Sequence, residues 1–310
     1  MENIHVKGNT YVLSLGLLYL PYYKVNDRDL ILLDTGLMKE HRGLLTGFLE
    51  KNNYSVKGII CSHAHIDHLG NAQFLKERYG AVIAMSREEA MICSSTQALK
   101  ILYSNYPLSK VAEHYGHMVT KTDILIENSD VEVRVCGIPF GIVHTPGHSS
   151  GHISMTTPDN VTYLGDCLIS HEIMDSAKLP YAHILKMDLE SKMKLYELKS
   201  DMYIVTHKGI YQDITELITD NICFYKSRAE EILRVITKPM TAEDILKAVS
   251  KSMSIRIGTI NKYLMVERML RCYVEYLFET GKLDRVIDDG FLKYVRDEEK
   301  HKAMEEESTL

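Results

Sequence analysis

At 310 residues, with 45% hydrophobic and 25% charged side chains, the chain is long enough to bury a full core and to carry a second, smaller unit. A formal charge of −6 argues against a general phosphate-binding surface, so nucleic acid is disfavoured as a partner and would need a local basic patch. Residues 1–5 lack a basic stretch, and the longest early apolar run, residues 11–23, is too short for a bilayer and is cut by Pro21, which predicts a cytoplasmic protein with no membrane segment.

In chain order, the first strands are expected over residues 10–18 and 28–33, joined near Asn26-Asp27, a turn-type pair. Gly58-Ile59-Ile60-Cys61 is an apolar strand pattern, and Ser62-His63-Ala64-His65-Ile66-Asp67-His68 follows at once. Strand alternation puts His63 and His65 on one side, and the turn that must follow brings Asp67 and His68 back toward the same point. Three imidazoles and a carboxylate suit Zn²⁺, Fe²⁺ or Mn²⁺. Residues 69–79 read as an amphipathic helix with Leu69, Ala72, Phe74, Leu75 and Tyr79 on its buried face, stopped by Gly80, and residues 82–85 as a buried strand. Residues 86–123 form a mostly helical run holding Tyr103, Tyr106, His114, Tyr115 and His117, either a lid over the site or a layer packed on the β-core.

Three later strand patterns each end in a ligand-type residue: residues 141–148, with a Pro146-Gly147 turn presenting His148; residues 161–166, ending in Asp166; and residues 202–207, ending in His207. The set is large enough for two metals, with one carboxylate able to bridge. His144 and His152 read as supports for ligands, and His5, His41 and His301 as surface residues. Residues 170–187 form a loop near the metals, in which His171 or Tyr181 can donate to a substrate oxygen. The six cysteines, Cys61, Cys93, Cys136, Cys167, Cys223 and Cys272, have no C-x-x-C spacing and read as reduced, mostly buried thiols; Cys61 and Cys167, close in sequence to the ligands, carry a minor candidacy for that role.

The ordered set His63, His65, Asp67, His68, His148, Asp166 and His207, with Leu32-Leu33-Asp34-Thr35-Gly36 upstream, resembles the metallo-β-lactamase-fold hydrolases, the superfamily of glyoxalase II, lactonases and related nucleases. The resemblance covers roughly the first 220 residues. It implies an α/β fold, an αββα sandwich, with two divalent metal ions, zinc first and iron or manganese as alternatives. His63, His65 and His148 would bind metal 1; Asp67, His68 and His207 metal 2; Asp166 would bridge. A hydroxide shared by the metals would attack an ester-, thioester- or lactone-type small-molecule substrate, with Asp67 orienting it and shuttling its proton. No G-x-S-x-G elbow competes with this chemistry.

Departures from relatives bear on the substrate. Basic residues that bind glutathione near the C-terminus in glyoxalase II are not recognisable, Ile169 stands where lactonases carry Tyr, and Lys208 sits in Thr206-His207-Lys208-Gly209, adding a positive charge beside metal 2. A phosphodiesterase or ribonuclease of the same fold and a mononuclear iron dioxygenase using His63, His65 and His148 are the alternatives.

After Lys238-Pro239 the pattern changes. Thr241 with Asp244 marks a helix start, residues 259–264 and 266–278 are two further helical patterns ended by Gly281, and residues 283–295 form a hairpin with Asp289-Gly290 at its tip. Domains are therefore expected at 1–220, catalytic, and 221–310, helical and resembling the winged-helix units attached to lactamase-like endoribonucleases and some hydrolases of that fold. Lys262, Arg268 and Arg271 are offset by Glu267, Glu275 and Glu279, so this part is expected to dimerise, giving a homodimer, or to close the cleft, rather than read nucleic acid. The charged stretch 296–310 is expected to fray.

Overall fold

The structure, a computed structural model, describes residues 1–297. Of the stretch 296–310 expected to fray, Arg296 ends a strand and bonds the carbonyls of Leu233 and Arg234, while residues 298–310, with His301, lie outside the described residues.

Seven strands, β1 (Glu2–Lys7), β2 (Thr10–Ser14), β3 (Tyr19–Lys24), β4 (Asp29–Leu33), β5 (Ser55–Ile60), β6 (Val82–Ser86) and β7 (Ile124–Ile126), form one sheet in sequence order. The first four pair antiparallel and β4 to β7 pair parallel. Six more, β8 (Glu132–Val135), β9 (Ile138–His144), β10 (Ile153–Thr156), β11 (Val161–Tyr163), β12 (Met202–Val205) and β13 (Gly209–Tyr211), form the second sheet in reverse spatial order.

Alternation along the strands explains the layers. In β4, Leu30 and Leu32 face the helices Met38–Lys51 and Ala72–Tyr79, while Ile31 and Leu33 face the other sheet. In β12, Ile204 joins the same inter-sheet core, but Tyr203 and Val205 face the helices Leu185–Lys194 and Thr215–Val235. Because each sheet is apolar on both faces, both must be covered, and the result is the expected αββα sandwich.

The core outside the second sheet also takes in the helices Ala242–Ser252 and Ile260–Glu279, so the mostly helical C-terminal region packs as part of that outer layer. The chain passes residue 220 inside the single helix Thr215–Val235. Thr241 and Asp244 form the expected capping box, and β14 (Leu283–Asp288) and β15 (Phe291–Arg296) form the expected hairpin. Asp289 and Gly290 both adopt positive φ, 50° and 75°, as a two-residue hairpin turn requires.

Several boundaries differ from the sequence reading. The strand expected over residues 10–18, β2, stops at Ser14, β1 precedes it, and a further strand, β3, contains Pro21. The β3–β4 ladder begins only at Tyr22, so Pro21 sits beside an unpaired flank where its missing N–H costs nothing. The helix expected over 69–79 breaks into Ile66–Leu69 and Ala72–Tyr79, because Gly70 and Asn71 serve the neighbouring loop: Asn71 Nδ2 donates to the carbonyls of Thr35, Gly36 and Leu37. The stop at Gly80 is as expected, with φ 68°. Residues 259–278 form one helix rather than two, capped by Thr259. The loop 170–187 carries a short helix, His171–Ser176. Among the described residues no helix is long and apolar enough to cross a membrane.

Candidate metal centre

The site lies where β4, β5, β9, β11 and β12 end, so five strands from two sheets deliver side chains to one rim. Strand β5 ends at Ile60, so His63 and His65 stand on the following loop rather than on a strand, and the one-turn helix Ile66–Leu69 carries Asp67 and His68. The convergence expected from alternation is therefore made by a loop and a helical turn, held from below by Asp34.

Two groups of candidate ligands result, His63 with His65 and His148, and Asp67 with His68, Asp166 and His207, each with its ligand atoms within 4.8 Å of one another. His65 Nδ1 lies 2.8 Å from His63 Nε2 and 3.0 Å from His148 Nε2. Three ring nitrogens at such separations cannot all satisfy one another with protons, whereas a cation accepts all three lone pairs. Asp166 touches both groups: Oδ1 is 3.3 Å from His68 Nε2, and Oδ2 is 3.5 Å from both His148 Nε2 and His207 Nε2. Among the described residues His68 Nε2 and Asp166 Oδ1 are buried with no hydrogen-bond partner, an arrangement that native interiors seldom tolerate. The donor set fits divalent cations.

The surrounding hydrogen bonds fix which nitrogen His68 and His63 offer. Asp34 Oδ2 accepts from His68 Nδ1 and Ser62 Oγ, each at 2.7 Å, which leaves His68 Nε2 for the centre. Since Ser62 Oγ gives its proton to Asp34, it accepts from His63 Nδ1 at 3.0 Å and leaves His63 Nε2 bare. His152 Nε2 accepts the backbone N–H of Asp166 at 3.0 Å, and Gly165 beside it has φ 55°, with no room for a Cβ against that ring. His152 is thus the support the sequence suggested, while His144 bonds the Asp130 carbonyl farther out. Gly147, at φ 129°, lets the His148 turn press on Asp188, where a Cβ would fall 2.1 Å from a backbone nitrogen.

Burial and neighbouring imidazoles push His63 and His65 well below the ordinary histidine range, and burial lowers His148 to about 4 and His152 to about 3. These rings are neutral, as ligands must be. At the second group burial opposes charge, but Asp166 and Asp67 outweigh it and raise both His68 and His207, with Asp34 adding to the effect on His68. The carboxylates make that end a place for positive charge.

All seven ligand candidates converge. The three proposed substrate residues do not: Tyr181 borders the cleft, but His171 pairs with Asp220 at 2.8 Å and Lys208 with Glu172 at 2.8 Å, and neither borders it. None of the six cysteines belongs to either ligand group; four are buried, Cys136 and Cys223 are exposed, and none is in a disulfide. His41, expected at the surface, is buried with Nδ1 accepting from Leu37 N.

The cleft has a volume of about 730 Å³. His65, Asp67, His148 and Asp166 are on its floor; Tyr103, Tyr106, His114 and His117 of the 86–123 run form one wall, and Met265 and Arg268 of the helix Ile260–Glu279 another. The 86–123 run lines this wall and also packs on the core beneath it, through Leu99, Val111 and Met118. Sequence reasoning missed Glu89, whose buried carboxylate accepts from Ala64 N, Ser149 Oγ and Gly151 N at 2.7–2.8 Å and so ties the His63–His68 loop to the His148 loop. It missed Arg268 as a cleft residue as well.

A two-sheet sandwich that gathers histidines and aspartates of this order at one rim defines a metal-dependent hydrolase class. The family model of the metallo-beta-lactamase superfamily matches residues 20–207, and the chain belongs to that superfamily. It is 27% identical over 172 residues to a hydroxyacylglutathione hydrolase, GloC, of Haemophilus influenzae, covering 54% of this chain and 74% of that protein. It is 25% identical over 198 residues to a metallo-beta-lactamase fold-containing protein of Sulfurisphaera tokodaii, covering 61% and 72%. A beta-lactamase domain protein from Burkholderia ambifaria superposes with a TM-score of 0.72 at 18% identity over 95% of this chain and 93% of that one. A metallo-beta-lactamase family protein from Thermus thermophilus gives 0.69 at 20% identity over 93% and 98%. These two structures speak for the fold alone.

Proposed function

We propose that the chain is a binuclear metal-dependent hydrolase of a small acyl compound, with a thioester as first choice. The observation that carries the reading is Asp166, whose two oxygens reach toward His68 on one side and toward His148 and His207 on the other, joining two complete donor groups. Similarity to the hydroxyacylglutathione hydrolase supports a thioester over a lactone or a phosphodiester.

His63, His65 and His148 would hold one cation, Asp67, His68 and His207 the other, and Asp166 both. Zinc is the first choice. Bound there, the cations would supply an acidified water and a Lewis acid for the substrate oxygen. The chain's own residues do the rest. Asp34 and Ser62 hold the imidazole tautomers, and Glu89 holds the two ligand loops in register. Asp67, its side chain 24% exposed at the cleft floor, is the group placed to take and return a proton. Tyr181 borders the same space, and burial pushes its hydroxyl up to about 12, so it stays a donor at neutral pH.

The complete second donor group speaks for two metals rather than the single iron of a dioxygenase. Mixed charge in the cleft, where Glu40 and Glu113 accompany Lys39 and Lys262, speaks against a polyanionic substrate. The winged-helix-like reading of the C-terminal region draws support from Met240, which pairs with Tyr294 of β15 and so adds a third short edge to the hairpin. Six unpaired cysteines are in keeping with a reducing, cytoplasmic setting.

Elemental mass spectrometry of protein purified without added metal, run beside hydrolysis of a thioester, a lactone and a phosphodiester, tests the reading. Close to two Zn or Mn per chain with thioester turnover is expected; one Fe per chain with no hydrolysis would overturn it.

A further inference from the structure

Arg268 brings an unspent guanidinium to the cleft. It rises from the helix Ile260–Glu279 and lies over the rings of Tyr181 and Tyr103, 4.7 Å and 5.3 Å from their centroids. The Tyr181 ring is in turn 5.4 Å from the rings of both His65 and His148. Arg268 therefore stands one aromatic ring away from the candidate metal ligands. Its position is held: Asn105 donates to Leu264 O and Glu267 Oε2 at 2.9 and 3.0 Å, fastening the 86–123 run to this helix across the cleft.

Among the described residues no carboxylate or carbonyl pairs with Arg268, although its neighbour Arg271 takes Glu267 at 2.9 Å. A guanidinium carries five N–H donors in a planar fork that matches a carboxylate with two parallel bonds, and the two tyrosines satisfy only its faces. A half-buried cation with free donors, in a cleft of small-molecule size, is built to receive an anionic partner.

We propose that Arg268 is the specificity-determining residue of this cleft, binding a carboxylate carried by the substrate away from its scissile acyl bond, with Tyr103 and Tyr181 flanking the chain between. The inference rests on reading the centre as an acyl hydrolase. A single carboxylate is favoured over a polyanion because Asp67, Glu40 and Glu113 border the same space. A lysine would supply charge without the fork, so the identity of the cation matters as well as its sign.

The test is a binding ratio measured without turnover. Ligand-observed NMR titration of the thioether acid S-benzyl-3-mercaptopropionate, and of its methyl ester, is run on the metal-loaded full chain and on R268M and R268K. The wild type is expected to hold the acid at least about tenfold tighter than the ester, as the loss of one charged hydrogen-bonded contact implies. In R268M the ratio should fall to about one, and in R268K to an intermediate value. No preference in the wild type, or the same preference in R268M, overturns the proposal; the second result would put the carboxylate on the metals. Should R268M fail to fold, R268K decides, and an unchanged ratio there overturns the fork. Thioester turnover is scored separately, so its absence counts against the reaction and leaves the binding ratio to judge Arg268.

Discussion

Asp34 Oδ2 accepts a hydrogen bond of 2.7 Å from His68 Nδ1, and both side chains are buried. The same oxygen accepts from Ser62 Oγ and from the Tyr163 hydroxyl, so one carboxylate orients the base of the second ligand group. Asp34 itself has φ 67°, a left-handed conformation that asparagine also tolerates.

D34N therefore isolates charge and acceptor capacity from backbone strain. It should cut metal affinity at the second group about 10- to 100-fold while the fold persists. Competitive chelator titration checks this, and wild-type affinity in a folded D34N protein would mean that Asp34 does not set the His68 tautomer.

Glu89 makes a different kind of link, since its partners lie 25, 60 and 62 residues away. E89Q turns one acceptor oxygen into a donor facing N–H or O–H groups, leaving a buried group unpaired at a cost of about 1–3 kcal/mol. Chemical denaturation should show the loss, accompanied by weaker metal retention as the two ligand loops part. Unaltered stability would assign Glu89 no tethering role.

Lys192 and Asp188 form a buried ion pair beneath the His148 turn, with Lys192 also 4.5 Å from the centroid of the Tyr225 ring. K192M removes one partner and strands the other, which should destabilise the protein by about 3–5 kcal/mol. The double variant D188L/K192M should recover much of that loss. A K192M protein with the wild-type denaturation midpoint would refute this account of the pair.

Tyr181 has its hydroxyl buried with no hydrogen-bond partner among the described residues. Y181F should leave stability equal or slightly higher, since no bond is lost. If the hydroxyl serves the reaction, kcat should fall about tenfold with the denaturation midpoint unmoved, in line with the usual contribution of one positioned donor. Unchanged kcat would leave Tyr181 as a wall and a platform for Arg268.

Metal removal gives the broadest check. Without cations, Asp67 and Asp166 share the second group with only His68 and His207 to offset them. Dialysis against a chelator should abolish hydrolysis and lower Tm, by the equivalent of about 4 kcal/mol where the metal had stood at a thousand times its Kd. Adding back Zn²⁺ should restore both. A chelated protein of undiminished Tm would show that the centre does not couple to folding.

What the sequence determined by itself was whatever depends on near neighbours. The H-x-H-x-D-H string, the capping box of Thr241 and Asp244, the Gly80 stop and the Asp289-Gly290 turn each act within a few residues, through hydrogen bonds and φ preferences that the residue types carry with them. The apolar strands were legible for the same reason, because alternation of faces is a local period. Tertiary structure decided the rest. Pro21 enters a strand because the ladder with β4 begins only at Tyr22; the helix after His68 breaks because Asn71 is needed by Thr35, Gly36 and Leu37; His171 and Lys208 turn away to Asp220 and Glu172. Glu89 and Arg268 gain their roles only when segments far apart in the chain close on one rim. Their side chains bear no local mark of it, since a carboxylate's or guanidinium's task depends on which partners the packed layers bring within hydrogen-bonding reach.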